Sequence, residues 1–417
     1  MFALTDVSGC YAAIEKIYNP SLRQRPVVVL SSSNGCVVAM CPIAKRLGIP
    51  KFEPYFKIKA LLDKHGCVVR ESNFELYGNA SEKMMSIIAT FSEKIYQYSI
   101  DEAFSSFVNY ENIIKDWYQH GHKMRRSIWT QCRLPVGIGI SSTLCLAKAA
   151  SFASRKLPTS DGVAVINDED TRIRTLSAMS LDEVWGIGSK LSSKLDLMGL
   201  KNAYDLANCS PKSIRQQFGV TVERIVEELN GVTCLKWDEV RPPKQQIYST
   251  RSVTERITNA HELRSALTSH AIKVCNKARQ QNSLIKKIYV FATSSPYDER
   301  YVKKGIMCDF PLATDSVLAL STAIQQLMHL LYVENVPYYK AGVGAIELES
   351  KDFQQQDLFV PNENPKLMNC YSAINSRFGS GTLQLGTEKR QEKWSRRGAF
   401  LSPCYTTKWS DIPIIKC

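Results

Sequence analysis

Residues 98–104 read Tyr98-Ser99-Ile100-Asp101-Glu102-Ala103-Phe104 and place two adjacent carboxylates between strand-like runs at 95–100 and 103–108. Another acid, Asp6, lies near the end of an apolar run over residues 2–7 that predicts a short buried strand. Charged side chains are unfavourable inside a sheet unless they are paired or bind a metal ion. If these strands are neighbours, the three acids meet at one point.

Carboxylate oxygens are ligands that Mg²⁺ prefers in proteins. Two such ions, held by Asp6, Asp101 and Glu102, could catalyse displacement at phosphorus by activating the attacking oxygen and stabilising the leaving one. An isolated Asp-Glu pair is more typical of a hairpin turn, so the pair by itself favours the turn interpretation over the metal site.

The rest of the first half alternates between strand-like and helix-like patterns. Residues 27–31 and 134–140 read as strands, and residues 79–93, 112–132 and 143–156 read as helices. This alternation predicts an α/β or α+β core.

The pattern changes at Pro242-Pro243, which indicates a linker. Residues 244–347 predict a separate α+β domain, with helices near 261–281 and 316–333 and a strand near 286–293. The polar stretch 350–366 is typical of a flexible tether.

The chain has 417 residues and a formal net charge of +13. Part of this excess lies in residues 241–347, which hold 14 Lys and Arg against 8 Asp and Glu. A basic surface attracts polyanions and favours nucleic acid as a partner, although a solubilising surface has the same composition.

The 13 cysteines are scattered and include no C-x-x-C pair, which argues against a disulfide framework and a zinc site. The first residues lack the basic start of a signal peptide, and no run of 18 apolar residues occurs. These features predict a cytoplasmic protein with no membrane segment.

Three motifs together resemble the Y-family DNA polymerases, the lesion-bypass enzymes, and in particular their UmuC-type members. They are Asp6-Val7-Ser8-Gly9-Cys10-Tyr11-Ala12, the stretch 98–104, and Gly137-Ile138-Gly139-Ile140-Ser141 followed by Leu146-Ala147-Lys148. The resemblance covers essentially the whole chain. It implies an α+β, right-hand polymerase fold with palm, fingers, helical thumb and α+β little finger, plus a C-terminal tail.

The implied domains are a palm over 1–170 with fingers inserted at about 25–78, and a helix–hairpin–helix thumb over 171–240. A little finger over 241–347 and a tether with a C-terminal partner-binding region over 348–417 follow.

The resemblance implies that Asp6, Asp101 and Glu102 are the catalytic, metal-binding acids. Tyr11 matches the family's steric gate, an aromatic ring that collides with the 2′-hydroxyl of a ribonucleotide. By its spacing alone, Tyr11 could instead be a core aromatic residue.

Two lysines match positions that bind the incoming nucleotide. Lys45 occupies a cation position in the fingers, and Lys148 matches a lysine that contacts the triphosphate. Without the motif, Lys148 would be read as a surface lysine on a helix.

The stretch Val184-Trp185-Gly186-Ile187-Gly188 resembles a helix–hairpin–helix, in which backbone amides can bind DNA phosphates without reading sequence. Gly186, Gly188 and Lys190 are therefore candidate DNA-binding residues. Arg251, in Ser249-Thr250-Arg251-Ser252, matches the start of the little finger and is a further candidate.

The tether contains Gln355-Gln356-Asp357-Leu358-Phe359, which resembles the pentapeptide that binds bacterial sliding clamps. Gln355, Leu358 and Phe359 are the candidate clamp-binding residues. Glutamine runs are also common in tethers, and the Leu-Phe pair favours the clamp interpretation.

The implied function is error-prone, DNA-directed DNA synthesis past lesions in the SOS response, with two Mg²⁺ ions and no proofreading. The implied partners are primer-template DNA, deoxynucleoside triphosphates, the sliding clamp, the processed UmuD dimer and a RecA filament.

The fingers depart from the family pattern at Met40, Pro42 and Ile43, as does Leu144 in the segment before Lys148. Val253-Thr254 also replaces a common Phe-Gly. Charge is removed from around the nucleotide, so weak nucleotide binding is predicted. The alternatives are an attenuated DNA- and clamp-binding subunit that regulates stalled forks and, less well supported, a two-metal nuclease, which would have no use for Tyr11.

Overall fold

A computed structural model describes residues 1–32, 35–110, 112–157, 160–236, 243–353, 365–379, 381–387, 398 and 400–412. The chain divides into two compact units. Unit 1 comprises Met1–Glu239 and Gly398–Cys417, and unit 2 comprises Val240–Arg397.

Unit 1 contains eight strands among its described residues, in two sheets. The strands are β1 (Phe2–Val7), β2 (Val27–Leu30), β3 (Val37–Met40), β4 (Val68–Glu71), β5 (Lys94–Gln97), β6 (Glu102–Ser106), β7 (Val136–Ser141) and β8 (Val163–Ile166). The central sheet has the order β5-β6-β1-β7-β8, and the small sheet has the order β3-β2-β4. In the central sheet β1 is antiparallel to both β6 and β7, so hydrogen bonds to a neighbouring strand hold it along both edges.

The α-helices described in unit 1 surround these sheets and continue into a helical region. They are α1 (Cys10–Tyr18), α2 (Pro42–Arg46), α3 (Tyr55–Lys64), α4 (Phe74–Ile88), α5 (Trp117–Cys132), α6 (Leu144–Lys156), α7 (Glu169–Ser177), α8 (Ser189–Leu197), α9 (Ala203–Ala207), α10 (Pro211–Phe218) and α11 (Val220–Leu229). One core lies around the two sheets, and another joins α6 to the helical region.

Gly139 in β7 allows α6 to lie directly against the central sheet. A Cβ atom at this position would come within 2.0 Å of the Ser151 backbone nitrogen in α6. This close approach requires glycine, and it places the side chains of α6 next to β1 and β6.

Two predicted helices have different starts in the structure because capping residues determine where they begin. The helix predicted at 79–93 begins at Phe74, where the Asn73 side chain accepts a hydrogen bond from the Leu76 amide at 3.2 Å. The helix predicted at 112–132 begins at Trp117, where Asp116 caps the Gln119 amide at 2.9 Å. Periodicity marks the apolar face of a helix, and the cap sets its first turn.

Unit 2 is an antiparallel four-stranded sheet with helices. Its strands are β9 (Ile247–Ile257), β10 (Ser283–Ser294), β11 (Lys303–Thr314) and β12 (Tyr338–Ser350), in the order β11-β10-β12-β9. Its helices are α12 (Ala260–Gln280), α13 (Val317–Leu331) and α14 (Pro365–Phe378). Met368 and Tyr371 of α14 belong to the core of this unit.

The predicted α+β class is confirmed. The region 348–417, predicted as one tether and tail, divides between unit 2 and unit 1, while the other domain bounds stay predictions. Over the described ranges, no helix is both long and apolar enough to cross a bilayer.

Candidate active site

The structure brings together the three acids that the sequence places far apart. Asp6 in β1 lies opposite Glu102, the first residue of β6, in the register of this antiparallel pair. The Val7 amide donates a hydrogen bond to the Asp101 carbonyl oxygen at 3.0 Å, which fixes Asp101 beside the end of β1. All three acids line the same cleft.

Each acid has a side-chain partner. Arg155 Nη1 donates to Asp6 Oδ1 at 2.8 Å, and Lys148 Nζ lies 3.0 and 2.9 Å from the two oxygens of Glu102. The Ser99 hydroxyl donates to Asp101 Oδ1 at 2.5 Å. Both cations come from α6, so the packing of α6 on the central sheet sets the charge balance at the acids.

The Asp6 carboxyl is 5% exposed. Burial, followed by a hydrogen bond with Glu102 and the charges of Glu102 and Asp101, raises the pKa of Asp6 to about 7 although Arg155 opposes the rise. Burial also acts on Glu102, but hydrogen bonds with Asp6 and Lys148 hold the pKa of that carboxyl below its usual value. The two carboxyls therefore compete for negative charge, and an added cation would relieve this competition.

The donor set suits a hard divalent cation, which prefers carboxylate oxygens. Among the described residues, however, no three acidic, His or Cys side chains converge closely enough to hold one ion as they are placed. Instead, Asp6 forms an ion pair with Arg155, and Glu102 forms one with Lys148. An ion at these acids would share their oxygens with Arg155 and Lys148 or displace them.

The cleft above the acids has a volume of about 720 Å³. Besides the acids, its lining comes from β1, the start of α1, β3, α2, the segment after α2, and α6. It includes Tyr11, Met40, Lys45, Lys51 and Arg155. Carboxylates and cations that line the same cleft can bind an anion together with a metal ion, as a nucleoside triphosphate requires.

Tyr11 lies near the start of α1 and faces this cleft. Its ring stacks on Tyr77, with centroids 4.4 Å apart and an interplanar angle of 17°, and meets the edge of Phe74 at 6.1 Å. Tyr11 thus packs on α4 and also borders the cleft, so the predicted core and gate interpretations are compatible.

Lys45 lines the cleft, as predicted for a phosphate-contacting cation, whereas Lys148 reaches the site through Glu102. The ammonium of Lys148 also lies 4.6 Å from the centroid of the Tyr98 ring and 5.7 Å from that of Trp185. These rings and Glu102 hold the lysine side chain in one place.

The candidate DNA-binding residues of the thumb motif lie at the start of α8. Gly186 has φ of +90°. Gly188 is the N-cap residue of α8, and no side chain caps the first amides of this helix. Lys190 follows in the first turn and is exposed. Arg251 belongs to β9 of unit 2, and the clamp candidates Gln355, Leu358 and Phe359 lie outside the described residues.

The sequence interpretation missed Arg155 and Lys51, both of which line the cleft. Arg155 could have been found, because it follows Lys148 by two turns of α6 and must share its face. Lys51 lies beyond α2, where no periodicity marks it.

The residues that depart from the family pattern lie in or near the cleft and in the core. Met40 lines the cleft, and Pro42 occupies the first position of α2, where a missing N–H is tolerated. Ile43 packs against the core of unit 1, and Leu144 is buried at the start of α6.

Comparisons with known proteins support the motif interpretation. Residues 5–152 match the model of the impB/mucB/samB family, and residues 244–358 match that of the impB/mucB/samB family C-terminal domain. Residues 365–415 match a domain of unknown function, DUF4113.

Relatives span the whole chain. The protein UmuC of Salmonella typhimurium is 35% identical, with 100% of each chain covered. The protein MucB of Escherichia coli is 33% identical, with 99% of each chain covered. DNA polymerase IV of Bacillus velezensis is 24% identical, with 94% of each chain covered.

Solved structures show the fold. The Y-family DNA polymerase chimera Dbh-Dpo4-Dbh gives a TM-score of 0.64 at 19% identity, covering 83% of this chain and 98% of that one. The insertion ternary complex of Dbh DNA polymerase gives a TM-score of 0.51 at 20% identity, and the match covers 84% of this chain and 100% of that one. The chain therefore belongs to the impB/mucB/samB family, with UmuC and MucB among its relatives, and has the fold of the Y-family DNA polymerases.

Proposed function

We propose that this chain is a DNA-directed DNA polymerase that carries out error-prone translesion synthesis in the SOS response, without proofreading. The observation that carries the proposal is the meeting of Asp6, Asp101 and Glu102 at a cleft that cationic side chains also line. Full-length similarity to UmuC, and weaker similarity to proteins named DNA polymerase IV, support it.

Asp6, Asp101 and Glu102 would hold the metal ions, for which we propose Mg²⁺ in a pair. When bound, such ions activate the primer 3′-hydroxyl and stabilise the leaving pyrophosphate. Asp6 would bind an ion through the oxygen that Arg155 does not contact, whereas Glu102 would share its oxygens with Lys148 or exchange that partner for the ion. Arg155 and Lys148 lie beside the acids, where they would also contact phosphate oxygens of the nucleotide, together with Lys45 and Lys51 in the cleft lining.

Tyr11 would exclude ribonucleotides. Its ring cannot retreat easily, because Tyr77 stacks on one face and Phe74 meets its edge. A nucleotide with a 2′-hydroxyl would therefore collide with a ring that is held from behind.

DNA would be bound mainly through its backbone. In unit 1 the start of α8, with Gly186, Gly188 and Lys190, presents backbone amides and a cation that suit a phosphate. In unit 2 Arg251 and the positive charge of residues 241–347 suit the duplex backbone.

We also propose three protein partners. Gln355, Leu358 and Phe359 would bind the sliding clamp, and the region 348–417 would engage the processed UmuD dimer, with a RecA filament as the activating partner. The similarity to UmuC is the support for the last two.

Primer extension opposite an abasic site, with clamp, processed accessory dimer and RecA filament present, tests the proposal. The native chain is expected to extend the primer, and Asp101→Ala is expected to abolish extension while retaining affinity for DNA. Asp170→Ala, which changes an exposed acid in α7 of the same unit, is the matched control and should extend normally.

A second candidate, an attenuated DNA- and clamp-binding subunit, is favoured by Met40, which places an apolar side chain in the cleft lining. DNA and clamp binding without any extension by the native chain would establish this alternative and exclude the polymerase.

A further inference from the structure

The C-terminal segment, residues 400–412, docks on unit 1. The Glu71 amide at the end of β4 donates to the Phe400 carbonyl oxygen at 2.9 Å, and Leu401 forms a parallel bridge with Glu71. The Tyr405 ring stacks on Tyr18 of α1, with centroids 5.5 Å apart. This segment lies in the region that matches only a domain of unknown function.

A buried acid lies under the docked segment. The Glu15 side chain is 1% exposed, and both the Ser402 and the Tyr77 hydroxyls donate to its Oε1 atom, each at 2.8 Å. Arg70 Nε is 3.7 Å from the other oxygen, too far for a hydrogen bond. A buried carboxylate depends on the donors around it, and Ser402 and Tyr77 are the donors at this oxygen.

Ser402 is also bonded to the start of α4. Asn73, the N-cap of α4, accepts from the Leu76 amide, and its Nδ2 atom donates to the Ser402 carbonyl at 3.0 Å and to the Ser402 hydroxyl at 3.2 Å. One serine of the C-terminal segment thus contacts both the cap of α4 and the buried acid of α1.

The same two helices hold the candidate gate. Tyr11 precedes Glu15 by one turn of α1, and its ring packs on Phe74 and Tyr77 in the first turn of α4. The contacts run without a gap from Ser402 through Glu15 to Tyr77, and from Tyr77 to Tyr11. The first turn of α4 is the wall behind the Tyr11 ring.

We propose that Ser402 is a positioning residue for the sugar discrimination by Tyr11, so that the docked C-terminal segment sets how firmly the gate excludes ribonucleotides. The inference rests on the proposed polymerase function. Ser402 touches no substrate; it acts by fixing Tyr77 and the first turn of α4 behind the Tyr11 ring.

The test compares kcat/KM for a deoxynucleotide and for the matching ribonucleotide in the full chain with its accessory partners. In Ser402→Ala the discrimination ratio is expected to fall about three- to tenfold, mainly through better use of the ribonucleotide, since a hydrogen bond to a charged group is lost and only part of its effect reaches Tyr11. Tyr11→Ala is the reference for a missing gate and should lower the ratio further.

Three other variants make the result specific. Thr406→Ala removes a hydroxyl of the same segment that bonds to Asn79 at 2.7 Å, outside the Glu15 network, and should leave the ratio unchanged. Ser402→Thr keeps a hydroxyl and should restore discrimination. Asn73→Ser still caps α4 but loses the long reach to Ser402, so it should lower the ratio even if Ser402→Ala fails to fold.

Hydrogen–deuterium exchange gives a readout that needs no catalysis. Ser402→Ala should speed exchange in peptides covering 9–18 and 73–81, whereas Thr406→Ala, which loses only its bond to Asn79, should leave exchange in the 9–18 peptide unchanged. Unchanged exchange of both peptides in Ser402→Ala would overturn the inference. So would an unchanged discrimination ratio in Ser402→Ala while Tyr11→Ala lowers that ratio. If the native chain does not polymerise, the proposed function fails and exchange alone decides whether Ser402 is coupled to the gate.

Discussion

Asp6 and Glu102 lie opposite each other in the β1–β6 pair, and the interaction between their carboxyls helps to raise the pKa of Asp6 and to lower that of Glu102. Two acids so placed repel one another when both are ionised, and burial strengthens the effect at Asp6. Nearby positive charge therefore stabilises the ionised acids, and Arg155 and Lys148 supply that charge in this structure.

Lys148→Ala should lower kcat/KM for the incoming deoxynucleotide roughly tenfold or more, because a charge-assisted contact worth about 1.5–3 kcal/mol is lost. Single-turnover insertion at increasing nucleotide concentration measures the effect. Lys156→Ala is the matched control, since Lys156 lies on the same helix but pairs with Glu183. Equal values for Lys148→Ala and the native chain would refute a role for Lys148 in nucleotide binding.

The two glycines of the thumb motif should differ in their tolerance of substitution. Gly186→Ala should lower the free energy of unfolding by about 1–3 kcal/mol, because φ is +90° and the new Cβ would lie 2.7 Å from Ile225 Cδ1. Gly188→Ala has φ of −85° and open space, so its effect should stay below about 1 kcal/mol. Urea unfolding measures both. A larger loss for Gly188→Ala would contradict the geometry.

His270 in unit 2 should make the protein sensitive to acid. Burial, with the nearby charges of Lys273 and Arg251, lowers the pKa of His270 to about 4, and its Nδ1 atom shares a 2.9 Å hydrogen bond with the Ser249 hydroxyl. Because the pKa is lower in the folded state, this contribution to stability is complete above the ordinary pKa of about 6.5 and is lost as the pH falls towards 4.

The expected loss between pH 7.5 and pH 5 is about 2 kcal/mol of the free energy of unfolding. His270→Gln has no titrating ring and should show a shallower decrease over the same range. Denaturant unfolding at several pH values measures both slopes, and parallel curves would show that His270 is not the group responsible.

Local patterns were enough to predict much of the fold. The four consecutive buried residues of β2 and the acid pair at the start of β6 are visible in the sequence, because strand periodicity and apolar runs reflect burial directly. The meeting of Asp6 with Asp101 and Glu102 followed only from assuming that their strands are neighbours. The family motifs supported that assumption.

Contacts between distant segments could not be predicted. The docking of Ser402 on Glu15 joins residues almost at opposite ends of the chain, and neither residue has a local pattern that indicates its partner. The pairing of Arg155 with Asp6 likewise depends on how closely α6 approaches the sheet, which Gly139 permits but does not specify. Such tertiary contacts arise from packing, which a one-dimensional pattern does not encode.

The central claim is that Asp6, Asp101 and Glu102 form one site for divalent cations. Binding of Mn²⁺, used as a spectroscopic substitute for Mg²⁺, can be titrated by electron paramagnetic resonance in the complex with primer-template DNA and a non-hydrolysable nucleotide. Asp6→Asn, Asp101→Asn and Glu102→Gln should each weaken binding about tenfold or more, because mutating groups at a metal site typically costs at least that much affinity. Asp170→Asn, an exposed acid elsewhere in unit 1, should bind as the native chain does. Native affinity in any of the three variants, or no binding by the native chain, would contradict the account.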